Sequence, residues 1–150
     1  MTPSITLERA GPDELIHLER VLEANGLPSE DVRAKPECFL VARSGTDETT
    51  VLGAGGIERD GTVGLLWSVV VVESRRGRGY GAALCDKLEE HAREEGVETL
   101  YLLTTTAVSF FEHRGYEEIA RDEPPPSIQE TTEFAELCPD SATCLRKRIQ

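Results

Sequence analysis

Within seven residues, Arg75-Arg76-Gly77-Arg78-Gly79-Tyr80-Gly81, the chain places three arginines and three glycines. Glycine at alternate positions lets successive backbone N–H groups turn toward one point, and a helix starting there adds the positive end of its dipole. The product is a cradle for an anion of pyrophosphate size, reinforced by guanidinium side chains. The plainer alternative is a tight strand-to-helix turn in which glycine serves packing alone. Two related motifs fail on spacing. A P-loop requires Gly-Lys-Ser/Thr at the helix start, which this chain lacks. A dinucleotide fingerprint requires G-x-G-x-x-G after the first strand of a βαβ unit, whereas here G-x-G-x-G follows a hairpin pattern. Nucleotide hydrolysis and hydride transfer are therefore poor fits.

Other residue types carry chemistry in principle. Glu73, just before the glycine segment, is placed either to relay an amine proton through water or to sit solvated in a loop. Thr104, Thr105 and Thr106 end an apolar strand, where their hydroxyls either bind a substrate or simply suit a strand. Trp67 is expected to pack in the core, with substrate stacking as its second role. His113 is the acid–base candidate among the histidines, because it falls in a short helix near the cradle, whereas His17 and His91 lie on longer helices. Cys138 and Cys144 read as buried structural thiols. No C-x-x-C or H-x-x-x-H spacing points to zinc, and no metal is expected.

Periodicity supplies the elements that position these residues. Ser4 to Ala10 alternates as an edge strand, and Gly11-Pro12-Asp13 opens a helix striped by Leu15, Leu18 and Leu22. A second short helix is expected after Pro28-Ser29, then a strand from Cys38 to Ser44. Thr50 to Arg59 and Thr62 to Val72 form a hairpin around Asp60-Gly61, with Arg59 facing Thr62. Gly53, Gly55 and Gly56 leave room there for a large side chain or a ligand. Val69 to Val72 is apolar enough to be central and covered on both faces. Tyr80 to Glu95 is a helix striped by Leu84, Leu88 and Ala92. Then come a strand from Glu98 to Thr104, a short helix from Ala107 to Arg114 and a strand from Tyr116 to Arg121. Ser127 caps a last helix reaching to about Leu137, and Thr143 to Ile149 closes the sheet.

A chain of 150 residues suits one domain over 1–150, with too little chain for a second core. Its formal net charge is −12, and of 16 basic residues only Lys35, Lys87 and Lys147 are lysines. That excess disfavours nucleic acid and anionic membrane, both of which need a cationic surface. An acidic, lysine-poor surface fits a high-salt setting, where counterions screen self-repulsion, or equally a mildly acidic cytosolic protein. No apolar run reaches membrane-spanning length and the start of the chain lacks a signal-peptide pattern, so a cytoplasmic location with free thiols is expected.

The glycine segment resembles the signature of the GNAT superfamily of N-acetyltransferases, Arg/Gln-x-x-Gly-x-Gly/Ala after a central strand, at Arg76, Gly79 and Gly81. The likeness extends over nearly the whole chain, including Val69-Val70-Val71, the long helix and Phe110-Phe111-Glu112-His113-Arg114-Gly115-Tyr116. It implies acetyl-CoA as cosubstrate, its pyrophosphate held by Arg76, Gly77, Arg78, Gly79, Tyr80, Gly81 and Ala82. It also implies that the pantetheine arm pairs with Val69, Val70 and Val71 like an added strand, and that an N–H there, assigned to Val70, polarises the acetyl carbonyl. Tyr101 to Ala107, Phe110-Phe111 and Thr132 to Pro139 followed by Cys144 resemble, more narrowly, an arsenic-resistance N-acetyltransferase subfamily. Relatives with that label acetylate amino-acid-like toxins. Two positions depart from family habit. The short-helix tyrosine that protonates the leaving thiolate in many members is Phe111 here, set against the cofactor. The strand glutamate common in members acting on protein N-termini is matched by Leu103.

The expectation is an α/β GNAT fold with a mixed, mostly antiparallel six- to seven-stranded sheet flanked by helices. The expected reaction is direct acetyl transfer from acetyl-CoA to a small-molecule amine. Val70, Glu73 and His113 are its catalytic candidates, and Trp67, Thr104 and Thr105 its substrate-binding ones. A protein N-acetyltransferase and a catalytically weak CoA-binding regulatory module are the alternatives, the second suggested by Phe111. The expected assembly is a monomer or homodimer.

Overall fold

A computed structural model of the chain contains the expected hairpin, with its turn displaced by one residue. Gly61 takes φ +62°, yet the connection is Gly61-Thr62, between a strand ending at Asp60 and one starting at Val63. Thr62 therefore lies in the turn rather than facing Arg59. Its carbonyl accepts the amides of Glu98 at 2.7 Å and Thr99 at 3.3 Å, which fixes the turn against the start of the next strand. The structure describes residues 5–9, 11–24, 38–44, 51–71, 79–105, 107–131 and 142–150. The helix expected after Pro28-Ser29 lies outside them.

The described elements in chain order are β1 (Ile5–Arg9), α1 (Pro12–Ala24), β2 (Phe39–Ser44), β3 (Val51–Asp60), β4 (Val63–Val71) and α2 (Tyr80–Glu94). They continue with β5 (Thr99–Thr104), α3 (Val108–His113), β6 (Glu117–Ile119), α4 (Pro126–Gln129) and β7 (Thr143–Arg148). Hydrogen bonding joins the strands in the order β1-β2-β3-β4-β5-β7-β6. The elements divide into two units, Met1–Ile57 with Ser68–His91, and Glu58–Trp67 with Ala92–Gln150.

In the first unit α1 begins with one half of a capping box. Pro12 stands at the first helical position, and Glu14 reaches back so that its Oε1 accepts the Gly11 amide at 3.0 Å. Leu18 and Leu22 are fully buried, while Leu15 is half-buried. β1 pairs antiparallel with β2 from Ile5↔Ser44 to Arg9↔Leu40. β2 pairs antiparallel with β3 from Phe39↔Gly56, its register shifting between Ala42 and Arg43. The α2 stripe lands on β3 where β3 has no side chains: a Cβ at Gly53 would stand 3.3 Å from Leu84, and one at Gly55 would stand 2.8 Å from Leu88. These two glycines make room for large side chains of the helix, as expected.

In the second unit β4 and β5 pair in parallel from Val63↔Thr99 to Leu65↔Tyr101, a pairing that needs a crossover such as α2. β7 pairs antiparallel with β5 from Thr99↔Arg148 to Thr104↔Thr143, and with β6 on its other side. The last strand, expected to close the sheet, lies inside it. Its consecutive Cys144 and Leu145 are both buried, one on each face, whereas the three-residue β6 exposes Glu117 and Glu118 and so makes the safer edge. Ser127 is not a cap: α4 begins at Pro126 after an extended Pro125, because proline's fixed φ already suits the first turn. The rest of the expected final helix, from residue 132, lies outside the described residues. Leu65, Leu100 and Leu145 are fully buried in this unit.

Candidate active site

The first unit holds the described part of the glycine segment, residues 79–82. Gly79 takes φ +82°, a left-handed value that a residue with a Cβ adopts only at a cost, and its carbonyl accepts the Ala83 amide at 3.1 Å. α2 therefore starts directly from the glycine segment. Its first turn carries no acidic side chain, whereas α1 has Asp13 and Glu14 in its first turn. In α1 the Gly11 amide meets the protein's own Glu14 carboxylate, whereas the first turn of α2 carries none of its own, which suits an anionic ligand. Gly79 is exposed, and Tyr80, Gly81 and Ala82 are half-buried. Glu73, Arg76, Gly77 and Arg78 lie outside the described residues.

β4 ends in Val69, Val70 and Val71, expected to be covered on both faces. Val70 is buried at 6% exposure, but Val69 and Val71 are half-buried. This end of the strand alternates instead of sinking entirely, so apolar composition overstated its coverage. β3 meets this end of β4 at Gly53, where an added Cβ would run into the Val70 carbonyl and stand 3.2 Å from the Val71 Cα. Gly53 thus touches both β4 and, through Leu84, α2. The sequence reading has Gly53 as room for a large side chain or a ligand; the third possibility that glycine within a strand signals, close approach of another backbone, is found here as well.

The second unit carries the remaining candidates. Trp67 is buried at 3% exposure. Among the described residues the parallel ladder ends at Leu65 and Tyr101, although β4 continues through Leu66 and Trp67 and β5 through Leu102 to Thr104. Thr104 is half-buried and its Oγ1 accepts the Ala107 amide at 3.0 Å, binding the strand end to the approach of α3. Thr105 is exposed. Phe111 is buried between two aromatic edges, 5.1 Å from Phe110 and 5.4 Å from Tyr116 by ring centroids, at interplanar angles of 83° and 75°. His113 is exposed, and its Nδ1 lies 2.6 Å from the Ser109 carbonyl. A donor is needed there, so Nδ1 carries the proton and Nε2 keeps its lone pair in the neutral ring. His17 is exposed and His91 half-buried.

Cys144 is buried and its thiol is pushed up to about 11 by burial, with Arg121 and Arg146 pulling against it. Such a thiol stays protonated and unreactive near neutrality. Cys138 lies outside the described residues. Among the described residues no group of three or more His, Cys, Asp or Glu side chains is placed to hold a metal, and no helix is long and apolar enough to cross a membrane.

Comparison with known proteins bears on the family and the fold. The profile of the Acetyltransferase (GNAT) family matches residues 7–116 of the 150. An IAA acetyltransferase from Azospirillum brasilense is 31% identical over 133 residues, covering 76% of this chain and 85% of its own. N-alpha-acetyltransferase 80 from Mus musculus is 42% identical over 53 residues, 35% of this chain but only 17% of the mouse protein. N-acetylglutamate synthase from Neisseria gonorrhoeae, solved with coenzyme A and N-acetyl-glutamate, superposes with a TM-score of 0.81 at 18% identity, covering 100% of this chain and 36% of that one. This chain thus spans a minor part of two of these three proteins. The mixed seven-stranded sheet is the GNAT fold, and the chain belongs to the GNAT family of acetyltransferases.

Proposed function

We propose that the protein transfers an acetyl group from acetyl-CoA directly to the amine of a small molecule. The observation that carries this reading is the start of α2: Gly79 at φ +82° opens a 15-residue helix whose first turn is free of carboxylates. Those features suit the diphosphate of CoA, with the amides of Tyr80, Gly81 and Ala82 as donors and Arg76, Gly77 and Arg78 completing the grip. Acetyl-CoA brings an activated thioester, so the protein need only hold amine and thioester together and stabilise developing charge. Val69, Val70 and Val71 are assigned to the pantetheine arm, with the Val70 amide toward the thioester carbonyl. Deprotonation of the amine is assigned to Glu73 through water or to Nε2 of His113. Phe111 cannot donate a proton, so the departing thiolate is protonated from solvent or by His113.

For the acceptor, the IAA acetyltransferase of similar length supports a small molecule. An amino-acid-like acceptor is proposed from the likeness of Tyr101 to Ala107 and Phe110-Phe111 to the arsenic-resistance subfamily, with Trp67, Thr104 and Thr105 lining its site. The setting proposed is the cytoplasm, where acetyl-CoA is at hand. The short match to N-alpha-acetyltransferase 80 favours a second reading, a protein N-terminus as acceptor. Thiol release from acetyl-CoA, measured against parallel panels of free amines and N-terminal peptides, tests both. Turnover with free amines supports the first reading, turnover confined to peptides the second, and CoA binding without turnover a regulatory module.

A further inference from the structure

We infer that Gly53 is a positioning residue for the CoA site, setting the separation between the end of β4 and α2. The inference rests on the proposed CoA reading. Gly53 is buried in β3 and faces two elements of that site at once. A carbonyl in a regular ladder points along the sheet at a neighbouring N–H, not into the space above a Cα. At Gly53 the Val70 carbonyl occupies the place a Cβ would take, and the Val71 Cα lies 3.2 Å from it. Leu84 of α2 closes the same place at 3.3 Å. Any side chain at position 53 must displace backbone of β4, because a carbonyl oxygen fixed in its peptide plane cannot rotate aside as a side chain can.

Gly55 supplies the contrast. It lies on the same strand and is also buried, but a Cβ there would meet side chains: Leu88 Cδ1 at 2.8 Å and Val69 Cγ2 at 3.4 Å. Leu88 can change rotamer. Both glycines make room for α2, but only Gly53 holds the peptide of Val70 where it is. Val69, Val70 and Val71 are all assigned to the pantetheine arm, but a Cβ at Gly55 would meet the side chain of Val69, whereas one at Gly53 would meet the β4 backbone. A shift of β4 at this point therefore reaches the cofactor without touching it.

The test compares Gly53→Ala and Gly55→Ala for CoA affinity by calorimetry, for KM and kcat with acetyl-CoA, and for urea stability. Gly53→Ala should weaken CoA binding and raise the KM for acetyl-CoA at least tenfold, while Gly55→Ala stays within twofold at a comparable stability loss. Equal CoA affinities in the two variants would overturn the inference. If Gly53→Ala is insoluble, the comparison moves to a Leu84→Ala background, which opens the helix side but leaves the Val70 carbonyl in place. There the added Gly53→Ala should still weaken CoA binding at least fivefold, and unchanged affinity would overturn the inference. Wild-type protein that fails to bind CoA would instead sink the functional reading beneath it.

Discussion

Gly79 is the residue on which the start of α2 turns. At φ +82° an alanine is strained by about 1–2 kcal/mol, and the strain falls where α2 presents its amides. Gly79→Ala should lose stability of that order in urea melts and also weaken CoA binding in titrations; unaltered CoA affinity would separate the glycine from the ligand. Cys144 makes a different single-residue prediction. Burial raises its folded pKa from 9.0 to about 11, so its contribution is fully present below pH 9 and is lost as pH rises toward 11. The stability difference between wild type and Cys144→Ala should narrow over that interval. A native thiol that reacts with a disulfide reagent at pH 7 as fast as the unfolded chain would contradict the buried assignment.

At the scale of elements, the start of α1 is tied to the sheet by charge. Glu14 accepts the Gly11 amide and ion-pairs with Arg43 of β2, whose Nε also lies 3.2 Å from Glu8 of β1. The Gly11 amide, then Arg43, hold the Glu14 carboxyl below its ordinary 4.5. A lowered folded value means the contribution is present above pH 4.5 and is lost as pH falls below it. Glu14→Gln should therefore destabilise by roughly 1 kcal/mol at pH 7 and leave little difference from wild type near pH 3, read by urea melts at both pH values. The existence of α1 was legible in Gly11-Pro12-Asp13 and its leucine stripe. Its tie to Arg43 was not, because that pairing spans 29 residues and no local pattern carries it. The β3–β4 turn teaches the same point: Asp60-Gly61 satisfies the local rule, but the bonds of Thr62 to Glu98 and Thr99 select Gly61-Thr62.

For the whole molecule, the excess of acidic over basic residues, 28 to 16, makes self-repulsion the dominant long-range term. Raising ionic strength shortens the screening length from about 10 Å at 0.1 M to about 3 Å at 1 M. The melting temperature should rise between dilute and molar sodium chloride, followed by scanning fluorimetry. A flat or falling curve would show that specific pairs such as Arg43–Glu14 and Arg146–Glu117 outweigh the general repulsion.

The sequence alone determined the family, the order of the described strands and helices, and the glycine-led start of α2 at Gly79, because each depends on residues close together in the chain. Glycine spacing, helix stripes and strand alternation act over a few residues, and the physics that rewards them is local. What only the tertiary structure decided depends on residues brought together from afar. It placed β7 between β5 and β6 and left Val69 and Val71 half-buried. It also turned Gly53 from vacant space into the seat of the Val70 carbonyl. Contacts of that kind are set by packing across strands and helices, and the identity of a glycine does not reveal which backbone will fill the room it leaves.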